Sequence, residues 1–130
     1  MSCDDTNFVI GNLADDMVEL TLELCGKDEN HTLRFPKVLY DSYVNRIANT
    51  ALDIQGMIFE SNGIQRGDRR LDLQRDAASK CIYLIHLIRI AADKRWISEK
   101  QRDRWQSIVV SLKWAIVRWY QSDQKLLNPS

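Results

Sequence analysis

A chain of 130 residues, 45% of them hydrophobic, is long enough to bury one core, and its five glycines and two prolines argue against a turn-rich β fold. No apolar run approaches the roughly 20 residues that span a membrane, and the acidic start MSCDDTNF is unlike a signal peptide, so we expect a cytoplasmic protein. The net charge is zero, but residues 1–33 hold eight acids and one cation, which leaves residues 34–130 with a charge of about +7. This asymmetry favours an anionic partner for the larger segment.

Hydrophobic periodicity predicts four helices in chain order. We expect an acidic amphipathic helix at about 8–25, a second helix from about Pro36 to Ser61, and a third, capped by Asp68, that ends near Asp93. The fourth begins at Ser98-Glu99-Lys100-Gln101, a capping-box pattern, and reaches about Gln124, with a disordered tail at about 125–130. Short connections between the helices predict a single all-α domain over 1–130, an antiparallel up-down-up-down four-helix bundle.

The third and fourth helices carry apolar residues on more than one side. A step of about 100° per residue predicts one core stripe on helix 4 and one on helix 3. These stripes are Trp105, Ile108, Val109, Leu112, Ala115, Ile116 and Trp119 on helix 4, and Ala78, Cys81, Ile82, Ile85, Ile88 and Ala92 on helix 3. The apolar residues outside these stripes predict a second face that a subunit covers: Leu73, Leu84, Leu87, Val110, Trp114 and Val117. The alternative is that loops or helix 1 cover this face within one chain.

The residue types needed for chemistry are scarce. The three cysteines, Cys3, Cys25 and Cys81, are odd in number and widely spaced, which fits neither a disulfide framework nor a zinc site. Motifs of the types G-x-S-x-G, P-loop, H-E-x-x-H and C-x-x-C are absent, as are the Glu-x-x-His pairs of a di-iron bundle. We therefore expect no enzyme activity, metal, cofactor or small-molecule substrate.

Two clusters of cations are candidates for contacts with phosphates. The first precedes and opens helix 3, and the second surrounds the turn between helices 3 and 4. Their members are Arg66, Arg69, Arg70 and Arg75 in the first cluster and Lys94, Arg95, Lys100, Arg102 and Arg104 in the second. Such side chains would give salt-sensitive binding with little sequence preference. The alternative is an ordinary solvated face, because acids are interleaved with both clusters.

Four stretches of the sequence resemble one family. They are RFPK (34–37), RIANTALDI (46–54), RRLDLQRDAASKCIYLIHLIRIAADKRWISEKQ (69–101) and WYQSD (119–123). Together they resemble the accessory variability determinant (Avd) family, four-helix-bundle proteins found beside the reverse transcriptases of diversity-generating retroelements. That family is itself similar to bundle proteins encoded in 23S rRNA intervening sequences.

The resemblance implies a barrel-like homopentamer that binds the reverse transcriptase and its template RNA. Such an assembly supports mutagenic cDNA synthesis without catalysing it, and the basic positions above would face the RNA or the polymerase. A different interpretation of the same residues is a structural bundle that docks one protein partner through the face around Trp114, without binding nucleic acid.

Overall fold

Four long helices make up most of residues 8–127, the part of the chain that a computed structural model describes. They are α1 (Val9–Cys25), α2 (Asn45–Asn62), α3 (Asp68–Asp93) and α4 (Glu99–Leu127). Within this range there is no β-strand, and a single isolated antiparallel β-bridge joins Lys27 and Leu33. The predicted all-α fold is confirmed for these residues. None of their helices combines the length and apolarity needed to cross a membrane.

Each helix packs against the next one in the chain, and α4 also packs against α1. Side-chain hydrogen bonds connect all four of these pairs. Gln55 Nε2 donates to Asp15 Oδ1 at 2.9 Å (α2 to α1), and Arg69 Nη2 donates to Glu60 Oε2 at 2.8 Å (α3 to α2). Gln106 Nε2 donates to the Ile85 carbonyl at 3.3 Å (α4 to α3), and Trp105 Nε1 donates to Thr21 Oγ1 at 2.9 Å (α4 to α1). This order of neighbours is that of an up-down-up-down bundle with short connections after α2 and α3.

The core runs along the centre of the four helices. Trp105 is its largest fully buried side chain, and the bond from its indole N–H to Thr21 satisfies the one polar group that it carries inside. The buried side chains of α4 are Trp105, Val109, Leu112, Ile116 and Asp123, which confirms the central part of the predicted α4 stripe. Trp119 is half-buried and packs against the same core.

The entry into α2 is less regular than the sequence predicts. A 3₁₀ turn at Lys37–Leu39 and a π-helical turn at Tyr40–Val44 precede the α-helix, so the start near Pro36 is correct but the first two turns are not α-helical. In this arrangement the Tyr43 hydroxyl donates a hydrogen bond to the Leu87 carbonyl of α3. Burial raises the pKa of Tyr43 to about 12, so this hydroxyl stays protonated at neutral pH.

Most predicted helix ends lie within a few residues of the observed ones, with two corrections. Asp68 is the first helical residue of α3 and makes no capping bond through its side chain, since Gly67 occupies the cap position. Residues 125–127, which we predicted to be part of a disordered tail, continue α4 to Leu127. The remainder of that tail lies outside the described residues.

The predicted capping box at the start of α4 is confirmed. The Ser98 backbone N–H donates to Gln101 Oε1 at 2.9 Å, and the Gln101 N–H donates to Ser98 Oγ at 3.0 Å. Two backbone donors that have no partner within the helix are thereby satisfied.

We expect Ser98→Ala to lower the free energy of unfolding by about 1 kcal/mol, because it leaves the Gln101 N–H without its acceptor. Chemical denaturation would measure the change. The matched control is Ser107→Ala, on an exposed position in the interior of α4, where alanine should be neutral or slightly stabilising. Equal effects of the two substitutions would show that the box does not stabilise the helix start.

Candidate nucleic-acid and subunit interfaces

Two of the arginines predicted to contact phosphates at the start of α3 form exposed ion pairs. Arg69 Nη2 lies 2.8 Å from Glu60 Oε2, and Arg75 Nη2 lies 2.7 Å from Asp72 Oδ1. All four side chains are more than half exposed. Water and salt weaken such pairs, so either arginine can exchange its acid for a phosphate at little cost.

A buried carboxylate holds the other two arginines of this cluster. Asp123 is only 3% exposed. Its Oδ1 lies 3.3 Å from Arg66 Nε, and its Oδ2 lies 2.6 Å from Arg70 Nε. Gln74 Nε2 also donates to Oδ2, at 2.8 Å. We call these four residues the Asp123 cluster; it ties the start of α3 and the preceding loop to the end of α4.

Arg70 belongs to the fold and not to a binding surface. Its side chain is 13% exposed, it donates to the Ile64 carbonyl at 3.1 Å, and its guanidinium lies 5.2 Å from the centre of the Trp119 ring. The prediction that Arg70 contacts nucleic acid is corrected accordingly. Arg66 has a side chain that is 56% exposed, so it remains accessible while it pairs with Asp123.

Asp123 is ionised at neutral pH. Burial by itself would raise the pKa of this carboxyl, but hydrogen bonds from Gln74 and Arg70, together with the charge of Arg70, lower the pKa below its ordinary value. The sequence contained a signal for its burial, since Asp123 lies seven residues after Ile116 and continues the same helical stripe. Sequence reasoning missed it because an acid at the end of a helix is usually solvated.

At the turn between α3 and α4, three of the predicted cations form no ion pair with the described residues. Lys94, Arg95 and Lys100 are exposed, and none has an acidic partner within 4.0 Å among residues 8–127. These cations are therefore the part of the predicted basic surface that is least neutralised by the described chain.

The other two cations of this cluster are paired. Arg102 Nη2 lies 2.9 Å from Asp103 Oδ1, its neighbour in sequence, and Arg104 Nη1 lies 3.8 Å from Glu23 Oε2 of α1. Arg104 and Glu23 are both more than half exposed, so this pair is as weak as those at the other end of the bundle.

Arg95 adopts a backbone conformation that is unusual for arginine. Its φ is 63°, in the left-handed region, and it follows the last turn of α3. The Trp96 N–H bonds to the Ala91 carbonyl at 3.0 Å and the Arg95 N–H to the Ala92 carbonyl at 2.9 Å. This is the pattern of a Schellman motif, in which the left-handed position is usually glycine. With an arginine at this position the protein is less stable than it would be with a glycine.

We expect Arg95→Gly to stabilise the protein by roughly 0.5–1 kcal/mol, because glycine adopts the left-handed conformation without a Cβ clash, an advantage that its freedom in the unfolded chain only partly offsets. The control is Lys94→Gly at the preceding position, where φ is −82° and glycine should destabilise the protein. Thermal unfolding followed by circular dichroism compares the two. A lower midpoint for Arg95→Gly than for wild type would overturn the assignment of strain.

Three residues of the predicted subunit face are core residues of the single chain. Leu73, Leu84 and Leu87 are 4%, 0% and 6% exposed, so the prediction that they meet another subunit is wrong. The error has a geometric cause. A helix in a four-helix bundle faces two neighbours as well as the centre, so α3 needs a wide apolar arc to pack against both α2 and α4.

Part of the apolar surface that remains exposed lies along the outer edges of α3 and α4. Trp114 is 50% exposed, and Ile82, which we predicted to be in the core, is 58% exposed. Val110 and Val117 are partly exposed on the same side of α4 as Trp114. We call Ile82, Val110, Trp114 and Val117 the α3–α4 strip.

The two helices of the strip run antiparallel, which places Ile82 beside the part of α4 that carries Val110 and Trp114. Ile82 lies between Gln74 and Ile85 on α3, and Trp114 lies between Gln106 and Asp123 on α4. The Lys113 ammonium lies 4.0 Å from the centre of the Trp114 ring and stacks over it. Covering this strip would bury an aromatic ring with a cation at its rim, a combination typical of protein interfaces.

Among residues 8–127, no group of three or more His, Cys, Asp or Glu side chains is placed to hold a metal ion. Burial raises the pKa of the Cys25 and Cys81 thiols to about 12, so both are protonated at neutral pH and are poor nucleophiles.

The described chain is thus an all-α, four-helix protein that carries an exposed apolar strip on α3 and α4 and a group of cations without ion pairs at the turn between these helices. No family model, curated protein or solved structure matches it. The family resemblance of residues 34–123 therefore stays a prediction from the sequence.

Proposed function

We propose that this protein is a non-catalytic accessory subunit of a diversity-generating retroelement. It would assemble into a ring-like homo-oligomer, a pentamer according to the family resemblance, and bind the reverse transcriptase and its template RNA during mutagenic cDNA synthesis. The observation that carries the proposal is the presence of two different unsatisfied surfaces on the same helix pair: the α3–α4 strip and the unpaired cations of the α3–α4 turn.

The α3–α4 strip supports self-assembly. Trp114 and Ile82 are each at least half exposed, whereas the other large apolar residues of α4 between Trp105 and Trp119 are buried or half-buried. Exposed aromatic and aliphatic side chains in one continuous stretch mark a protein-binding surface. In a closed ring the same strip would recur on every subunit.

The cations of the α3–α4 turn support contact with RNA. Lys94, Arg95 and Lys100 lie within seven residues of one another, at one end of the bundle. A ring would repeat this group once per subunit and so convert a modest local charge into a belt. The belt would bind phosphates through counterion release, which makes the affinity salt-dependent.

The proposed RNA binding can be tested by measuring the affinity for the retroelement's template RNA by fluorescence anisotropy between 50 and 200 mM salt. For Arg95→Gln/Lys100→Gln we expect weaker binding and a log–log salt slope that is shallower by about 0.7 for each phosphate that the protein no longer neutralises. The matched control, Arg118→Gln/Lys125→Gln, removes two exposed cations near the other end of α4 and should leave the slope unchanged. An identical decrease in both variants would mean that only total charge matters.

One observation favours the alternative function, a bundle that docks a single protein partner without nucleic acid. The net charge is zero, and the arginines at the start of α3 are all paired with acids of the same chain. Retention of the reverse transcriptase on the purified protein in 1 M salt with nuclease, together with no RNA binding by the protein alone, would establish this alternative.

A further inference from the structure

A surface cavity lies where the chain turns from α3 into α4. Its volume is about 550 Å³, and its lining consists of Ala92, Arg95, Trp96, Ile97, Ser98 and Glu99. This volume falls in the range of about 300–1,000 Å³ that small-molecule sites occupy. The cavity lies in the middle of the unpaired cations, since Arg95 lines it and Lys94 and Lys100 flank its lining residues in the sequence.

Trp96 is fixed in place from inside the protein. Its ring centroid lies 5.9 Å from that of Phe35 and 5.4 Å from that of Tyr43, the latter in an edge-to-face arrangement. Phe35 is itself buried, so these contacts anchor the indole to the core. A ring held in this way can stack on a planar ligand with little further loss of side-chain freedom.

The charges around the cavity distinguish a nucleotide from a simple anion. Arg95, Lys94 and Lys100 attract phosphate, but Glu99 lines the same cavity and repels it. A nucleobase carries amino and ring N–H groups that donate hydrogen bonds to a carboxylate, whereas a fully ionised anion such as sulfate offers no donor. The cavity therefore offers a partner for each part of a nucleotide: the aromatic ring for the base, the cations for the phosphates, and the carboxylate for the polar edge of the base.

Only an unpaired nucleotide can present its base to a recessed ring. In a duplex both faces of each base are stacked and its Watson–Crick edge is occupied, so a paired strand offers this cavity only its backbone. The left-handed conformation of Arg95 is consistent with this use, because the chain keeps a cation at a position where glycine would be more stable.

We infer that the cavity at the α3–α4 turn binds one unpaired nucleotide of a single-stranded RNA. Trp96 stacks on the base, Arg95 and its flanking lysines hold the neighbouring phosphates, and Glu99 accepts a hydrogen bond from the base edge. This inference rests on the RNA binding proposed above and adds to it the form of the RNA and the residue that reads it.

The test compares a fluorescein-labelled unstructured 12-nucleotide RNA with the same sequence annealed to its complement, both bound to the full chain at 100 mM salt. We expect the single strand to bind at least tenfold more tightly than the duplex. Trp96→Ala should weaken binding of the single strand at least fivefold and leave duplex binding unchanged, whereas Trp96→Phe should retain most of the affinity. The control Tyr83→Ala removes an aromatic ring that is 41% exposed on α3, outside this cavity.

Arg95→Gly keeps the test decisive if Trp96→Ala fails to fold. This variant should be at least as stable as wild type, yet bind the single strand several-fold more weakly. Equal binding of single strand and duplex, with no effect of either substitution, would overturn the inference while the proposed RNA-binding function stood. If neither RNA binds even at 50 mM salt, the RNA arm of the proposed function fails, and the cavity inference with it.

Discussion

Asp123→Ala should lower the free energy of unfolding by about 3 kcal/mol, because it removes the shared acceptor of Arg66, Arg70 and Gln74 and leaves the mostly buried charge of Arg70 without a partner. Arg70, whose side chain is 13% exposed, would lose an ion pair at 2.6 Å, and Gln74 would lose its hydrogen bond at 2.8 Å. This value is at the lower end of the range expected when one partner of a buried ion pair is removed, because Arg66 is 56% exposed and can turn to solvent.

Urea denaturation of matched variants would measure this change in stability. Glu60→Gln removes the acid of the exposed pair with Arg69 and should change stability by only about 0–1 kcal/mol. Since Asp123 and Arg70 act on each other, Asp123→Ala and Arg70→Ala should not be additive, with a coupling of about 1 kcal/mol or more in the double-mutant cycle. An Asp123→Ala effect no larger than that of Glu60→Gln would show that the cluster does not stabilise the fold.

The same cluster predicts a pH dependence. The pKa of Asp123 is lowered in the folded protein, first by its hydrogen bond from Gln74 and then by those from the arginines, against the opposing effect of burial. Its contribution to stability is therefore complete above the unfolded pKa of about 3.9 and is lost as the pH falls through the folded value. Between about pH 5 and pH 2 the urea midpoint of the wild type should fall more than that of Asp123→Asn. Parallel profiles would contradict the assignment.

The sequence predicted the features that depend on local spacing. The existence of the four helices, the Ser98–Gln101 capping box and the buried stripe around Trp105 all follow from residue types three or four positions apart, and all are present in the structure. Such features are encoded within one helical turn or two, so no knowledge of the tertiary arrangement is needed to find them.

Two features depended on which neighbours each helix meets, and the sequence did not reveal them. Ile82 and Leu84 exchange their predicted roles, because the buried arc of α3 is set by its contacts with both α2 and α4. The Asp123 cluster joins Arg66 and Arg70 to a carboxylate 57 and 53 residues later. A charge pattern along the chain cannot distinguish such pairs from solvated cations, and so Arg70 was mistaken for a contact residue.

The pattern of charges along the sequence also cannot predict whether Lys94, Arg95 and Lys100 bind RNA. The structure separates them from the paired arginines at the start of α3, and it places Trp96 in a cavity among them. The tryptophan was not among the predicted contact residues, although its place directly after two cations, in the sequence KRW, was a signal that could have identified it.

Trp114→Glu should abolish the self-assembly proposed above. If the α3–α4 strip joins neighbouring subunits, a carboxylate at its centre would be buried without a partner. The dissociation constant for each subunit interface should then rise at least about 100-fold. Native mass spectrometry of the wild type should show a closed oligomer, a pentamer under the proposed function, and the variant should be a folded monomer. Ile82→Glu, on the facing helix, should have the same effect.

The matched control is Leu52→Glu, which adds the same charge at an apolar position that is 42% exposed on α2, outside the strip. Its oligomeric state should be that of the wild type, and circular dichroism should show that all three variants keep their helices. If the protein still assembles with Trp114→Glu but not with Leu52→Glu, the subunit interface lies on α2 and not on the strip. If the wild type is monomeric at micromolar concentrations, the ring assembly in the proposed function is wrong. The strip would then be the docking surface for a different protein.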